Sequence, residues 1–220
     1  MKKQSGFTLI ELAIVLVIIG LLLGGVLKGQ ELINSAKVKN MAADFKNTQV
    51  FIYGYQDKYK AIPGDDPAAA SRNTGAVTAT TPATGQGNGL IGGNWDSTTA
   101  TDESYLFWQH VRLAGLAPGP TAVADANYAP RNADGGRLGI QSVANSTNLP
   151  SLPTAIPGAY VICSGSILGK FAKQIDTTLD DSATDTGSVR VYATGGTAWL
   201  PTTGGTAIND NSPYNVCMAF

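Results

Sequence analysis

Glu11 is the first residue that asks for a chemical explanation. It stands near the start of GFTLIELAIVLVIIG, residues 6–20, an otherwise apolar run. An ionised carboxylate in a hydrocarbon layer costs roughly 2.5–3.5 kcal/mol on insertion scales, so it needs a cation from somewhere. A second acidic group crowds QIDTTLDDSATDTG, where Asp176, Asp180, Asp181 and Asp185 fall close together. Oxygen-rich loops hold Ca²⁺, which makes these four aspartates candidate calcium ligands. The EF-hand pattern is absent, however, with no glycine at its sixth position and no terminal glutamate. Turn formation and hydrogen bonds to backbone amides are the commoner use of Asp. No other metal set is expected.

Cys163 and Cys217 make an even count. In an exported chain that favours a disulfide, with two buried thiols as the other reading. A bridge closing a loop of about 55 residues stabilises by roughly 4 kcal/mol in the chain-entropy model. His110 is the only histidine, and no cysteine stands near it. It reads as a partly buried, hydrogen-bonded side chain rather than a metal ligand or part of a triad. Ser164 and Ser166 flank a glycine, but no sequence pattern links them to His110. There is no P-loop and no GxGxxG, so nucleotide-driven chemistry has no support. No catalytic residue is assigned and the chain is not expected to be an enzyme. Trp95, Trp108 and Trp199 are possible stacking platforms, although Trp108 sits in a core-like helix and the other two are isolated. The net charge of −1 gives no polybasic face, so no nucleic acid partner is indicated.

The elements that must position these residues begin with a long helix. Residues 7–27 are apolar or small, apart from Thr8 and Glu11, and Lys28 closes the run. About 21 residues rise roughly 30 Å as a helix, enough to span a bilayer. Lys2 and Lys3 in the leader 1–6 place that end in the cytoplasm by the positive-inside rule. No A-x-A site ends the run, and VLKGQELINSA continues it as helix, so the apolar segment is expected to stay on the mature protein. A plain signal anchor explains the hydropathy but gains nothing from Glu11. If the leader is removed after Gly6, the new α-amino group of Phe7 is positive near neutral pH, with a reference pKa of about 7.7–8.0. A neighbouring subunit's amine then answers Glu11, and the penalty on a half-paired state enforces a stagger between subunits.

Gly6, then Phe7-Thr8-Leu9-Ile10-Glu11, then an unbroken apolar run resembles the signature of type IV prepilins, the family of type IV pilins and type II secretion pseudopilins. The match covers about 20 residues of the 220. The resemblance implies cleavage after Gly6 by a prepilin peptidase, N-methylation of Phe7, and a role for Glu11 as the assembly glutamate. It implies a single-pass precursor in the bacterial inner membrane with its head in the periplasm. Other pilin-like subunits and the inner-membrane assembly machinery would be its partners, in a homo- or hetero-polymer. The polymer would be a pilus at the cell surface or a periplasmic pseudopilus. The rival readings are a membrane-anchored periplasmic enzyme and a sugar- or DNA-binding tip subunit.

Beyond the membrane segment, residues 28–62 are expected to be the amphipathic half of the same helix, the whole being roughly 80 Å long. Met41, Phe45, Thr48, Ile52, Tyr55 and Tyr59 are spaced 4, 3, 4, 3, 4 and form one face. Pro63 and Gly64 in AIPGDDP stop it. Residues 63–220 form the globular head. Residues 63–101 read as exposed loop, and Asn145-Ser146-Thr147 fits a glycosylation sequon. SYLFWQHVRLAGL, 104–116, reads as a helix packed on a sheet. GAYVICSG, SVRVYAT and YNVCMAF read as strands with one face buried, and 166–179 as a helix after the first. The expected class is α+β: a long N-terminal helix packed on a small antiparallel sheet, a pilin-like head with the disulfide tying the last strand to it.

Overall fold

The computed structural model describes residues 8–83, 85–144, 152–153, 156–204 and 207–220. The chain divides into two compact units, Met1–Lys37 and Val38–Phe220. Helix α1, Leu9–Tyr59, contributes to both.

In the first unit, no described apolar side chain of α1 is buried, and Leu9, Leu16, Leu21 and Leu27 are all mostly exposed. The segment is long and apolar enough to cross a membrane. In the second unit α1 shows the expected stripe. Met41, Phe45, Thr48, Ile52 and Tyr55 are fully buried, and Tyr59 is half-buried. The stop comes three residues before Pro63. The last helical bond is Lys60 N–H to the Gln56 carbonyl, 2.8 Å, and Lys60 then takes a left-handed φ of 55°. A left-handed residue just past the last turn is a common way to end a helix.

Among the described residues the sheet has four antiparallel strands in the order β1-β2-β4-β3. These are β1 Leu138–Ser142, β2 Tyr160–Leu168, β3 Val189–Ala193 and β4 Pro213–Ala219. The other helices among the described residues are α2 Ala69–Arg72, α3 Glu103–Leu113 and α4 Gly169–Leu179. Strand β2 runs three residues further than its sequence pattern, through Ser164 and Ser166, and bulges between Ser164 and Ile167. The helix read over 166–179 therefore starts at Gly169.

The strands alternate, but both of their faces are buried, not one. Ile140, Ile162, Val189, Val191, Val216 and Met218 face a core shared with α1, α3 and α4. Val161, Cys163, Tyr192, Cys217 and Ala219 face a second cluster completed by Trp95, Leu152 and Ile156. The second face is covered by chain that reads as loop. Trp95 N–H donates to Gln141 Oε1 at 2.8 Å. A Cβ on Gly139 would stand 1.8 Å from the Trp95 carbonyl oxygen, so glycine is what lets the two backbones meet. Residues 63–101 are thus not simply exposed, since Ala79, Ile91 and Trp95 are buried. Cys163 and Cys217 lie directly opposite each other on β2 and β4 and are joined as a disulfide.

Candidate functional site

The N-terminal segment carries the strongest chemical pattern. Glu11 lies in the first turn of α1. Its Oε2 accepts from Thr8 N–H at 2.8 Å and from Thr8 Oγ1 at 2.7 Å, and Glu11 N–H reaches Thr8 Oγ1 at 3.4 Å. That is a capping box, in which a Thr and a Glu three residues apart satisfy each other's backbone donors at a helix start. The T-x-x-E spacing at 8–11 was the signal for it, and reading Glu11 only against the bilayer passes it over. Gly6 and Phe7 lie outside the described residues, as does the sequon at 145–147.

The head holds two further acidic sites, and they are built differently. The first lies where GDDP follows α1. Asp66 is buried and fully partnered: Oδ2 accepts from Tyr55 Oη at 2.8 Å and from Arg72 at 2.7 Å, and Oδ1 from Ala68 N–H at 2.9 Å. Asp65 is buried beside it. Its Oδ2 accepts from Gly89 N–H at 2.7 Å, and its Oδ1 from Asn88 N–H at 3.3 Å and from Gly87 N–H. Glu103, the first residue of α3, accepts from Gly92 N–H at 2.6 Å. Glu103 Oε1 is buried with no hydrogen-bond partner among the described residues, and Asp65 is close enough to act on the carboxyl. Burial pushes the Glu103 carboxyl up to about 7, with Asp65 and Asp102 adding to the rise. Gly64 fits against the Glu103 carbonyl oxygen, where a Cβ would come within 2.3 Å, and has a φ of +91°.

His110 completes this region. It is fully buried, not partly. Nδ1 accepts from Gly64 N–H at 2.9 Å, so Nε2 carries the proton and donates to the Val77 carbonyl at 2.8 Å. Burial lowers its affinity for a second proton. Both ring nitrogens are thus committed to the backbone.

The second acidic site is at the end of α4. Asp176, Asp180 and Asp181 each bring one carboxylate oxygen within 4.8 Å of the others. Asp180 Oδ2 accepts from Ser188 N–H at 2.5 Å and Val189 N–H at 2.8 Å. Asp181 accepts from Ala183 N–H at 3.0 Å and Thr186 Oγ1 at 3.2 Å. Asp176 is fully buried, yet among the described residues neither of its oxygens has a hydrogen-bond partner. Asp185 stands outside the group of three, close enough to act on Asp176 through its charge.

Of the other residues weighed from sequence, Ser164 Oγ accepts from Asn132 Nδ2 at 2.8 Å inside the fold. Trp95 and Trp108 are buried core residues, and Trp199 is half-buried with its ring edge-on to Tyr192.

No curated protein and no solved structure matches the chain. Residues 1–27 match the family described as the prokaryotic N-terminal methylation motif. The chain carries, in those residues, the signature of type IV pilins and pseudopilins.

Proposed function

We propose that this chain is a prepilin, cleaved between Gly6 and Phe7, N-methylated on Phe7, and polymerised through its N-terminal helix into a type IV pilus-like filament. The carrying observation is the methylation motif over residues 1–27, set directly onto a helix whose apolar half buries no described side chain within the single chain. Apolar surface of that extent is at home in a bilayer and, afterwards, in a bundle of like helices.

Glu11 has two successive roles in this account. In the single chain it caps the start of α1 through Thr8. In the filament it receives the Phe7 amine of a neighbouring subunit, so that neither charge is left alone among apolar helices. A structural subunit also accords with the head, whose one histidine and Ser164 are engaged within the fold.

Mass spectrometry of fibres sheared from the cell surface tests this reading. The expected species begins at methylated Phe7. A processed chain that stays in the envelope and is missing from sheared fibres would move the assignment to a type II secretion pseudopilin. Glu11→Gln should insert in the membrane normally and fail to enter fibres. Unimpaired incorporation would end the charge-pair account.

A further inference from the structure

A guanidinium taken out of water is ordinarily paired with an acid, because its charge otherwise gives up hydration without return. Arg112, in the last turn of α3, is only 8% exposed and meets carbonyls instead. Its Nε donates to the Pro118 carbonyl at 3.1 Å, and its Nη1 to the carbonyls of Pro120 at 2.9 Å and Tyr128 at 2.7 Å. It also lies 5.1 Å from the Tyr128 ring centroid and 5.8 Å from that of Trp108. Carbonyls and ring faces offer only partial charge, so the full positive charge is not cancelled. Burial weakens the guanidinium's hold on its proton, and the groups that act on it by charge are Tyr128 and Tyr105, neither of them a carboxylate. Nη2 donates to none of the described residues.

Arg112 lines a cavity of about 350 Å³, together with Arg131, Asn127, Pro118, Pro120 and Pro130. Arg131 is exposed, and its Nη1 donates to the Gly135 carbonyl at 2.9 Å. Arg137 faces Arg131 across a β-bridge, and the two charges act on each other. Asp96 is the acid that acts on Arg137, and it is not among the groups that act on Arg112. Gly119, which also lines the cavity, lies against Arg112 at a φ of +122°. A Cβ there would stand 2.8 Å from Nε and 3.0 Å from Nη2. Glycine thus leaves bare the edge of the guanidinium that has no partner.

We infer that this cavity binds a small organic acid, its carboxylate held by Arg112 Nη2 and the Arg131 guanidinium and its apolar body laid against the three proline rings. The volume falls within the roughly 300–1,000 Å³ of small-molecule pockets. Guanidinium groups match the flat, two-oxygen face of a carboxylate. A phosphate would bring further charged oxygens to walls where proline rings offer no donor, which leaves them unsatisfied. The bound acid would supply the anion that α3 and its neighbours do not give Arg112. This site is independent of the filament reading and stands or falls without it.

The test uses the full chain in detergent micelles at low ionic strength, with empty micelles as the blank. Calorimetric titration with sodium cyclohexanecarboxylate should show one site with a Kd below about 1 mM. Cyclohexanecarboxamide, of the same shape without the charge, should bind at least tenfold more weakly. Arg131→Gln, at an exposed position, should melt as the wild type does and bind the acid at least tenfold more weakly, while Lys46→Gln on α1 leaves binding unchanged. In a ¹⁵N-labelled chain the Arg112 side-chain signal should shift along the same saturation curve, which reads the buried residue without replacing it. Absence of binding at about 10 mM acid would overturn the proposal. So would equal affinity for the amide, full binding by Arg131→Gln, an Arg112 signal that does not move, or tighter binding of inorganic phosphate than of the acid.

Discussion

The two acidic sites of the head bury the same functional group and treat it in opposite ways. Asp65 and Glu103 lie at the N-terminal end of α3, and the glycine-rich segment 85–92 points its amides at them. Asp176 lies at the C-terminal end of α4, where the backbone presents carbonyls. Helix polarity and the supply of N–H groups, rather than the number of acids, decide whether a buried carboxylate is satisfied from within the chain. Among the described residues the first site leaves one buried oxygen, Glu103 Oε1, without a hydrogen bond, and the second leaves both oxygens of Asp176 so.

The largest effect that could break this contrast is at Asp65. Asp65→Ala strands the Gly89 amide and leaves those of Gly87 and Asn88 with only their backbone acceptors, and should cost about 2–4 kcal/mol in urea unfolding followed by tryptophan fluorescence. A loss below about 0.5 kcal/mol would mean that the Gly89 amide reaches water instead. Gly64→Ala comes next, at about 1–3 kcal/mol. It drives a Cβ into the Glu103 carbonyl at a left-handed φ.

Glu103→Gln is a pH experiment. The folded carboxyl titrates at about 7 against an ordinary 4.5, so the native state holds its proton more tightly than the unfolded chain. Its contribution is full below pH 4.5 and is lost as pH rises through about 7. Gln mimics the protonated form at every pH. The stability of the variant relative to wild type should therefore rise by about 1–2 kcal/mol between pH 5 and pH 8. A flat difference would mean that burial does not raise the Glu103 carboxyl. The smallest effect, and the one of opposite sign, is Asp176→Asn, a gain of about 1 kcal/mol or none. If it destabilised as Asp65→Ala does, the two sites would be alike after all.

Legibility from sequence follows the range of the interactions. The methylation signature, the α1 stripe and strands β2, β3 and β4 are written in contiguous residues, and they appear close to where they are expected. Strand β1 is missed because Gly139 and Gln141 interrupt its apolar pattern, and both face chain folded over from the Trp95 region. GDDP reads as a turn, and it is one, but Asp65 is held by amides more than twenty positions away, and Asp66 by Tyr55 on α1 and Arg72 on α2. The Asp176 group is visible as composition. Its decisive property, burial, was present in the spacing: Asp176 falls four residues after Ala172 and next to Ile175, on the apolar face of α4.

The Cys163–Cys217 bridge has a mechanical consequence. It joins β2 to β4, the two inner strands of the sheet. A pull transmitted along the chain from α1 to Phe220 crosses from one sulfur to the other and bypasses residues 164–216. Those residues hold α4, β3 and the Asp176 group. Even if the sheet yields, about 180 Å of potential extension stays locked out of the stretched path, so a strained subunit lengthens far less than its sequence would otherwise allow.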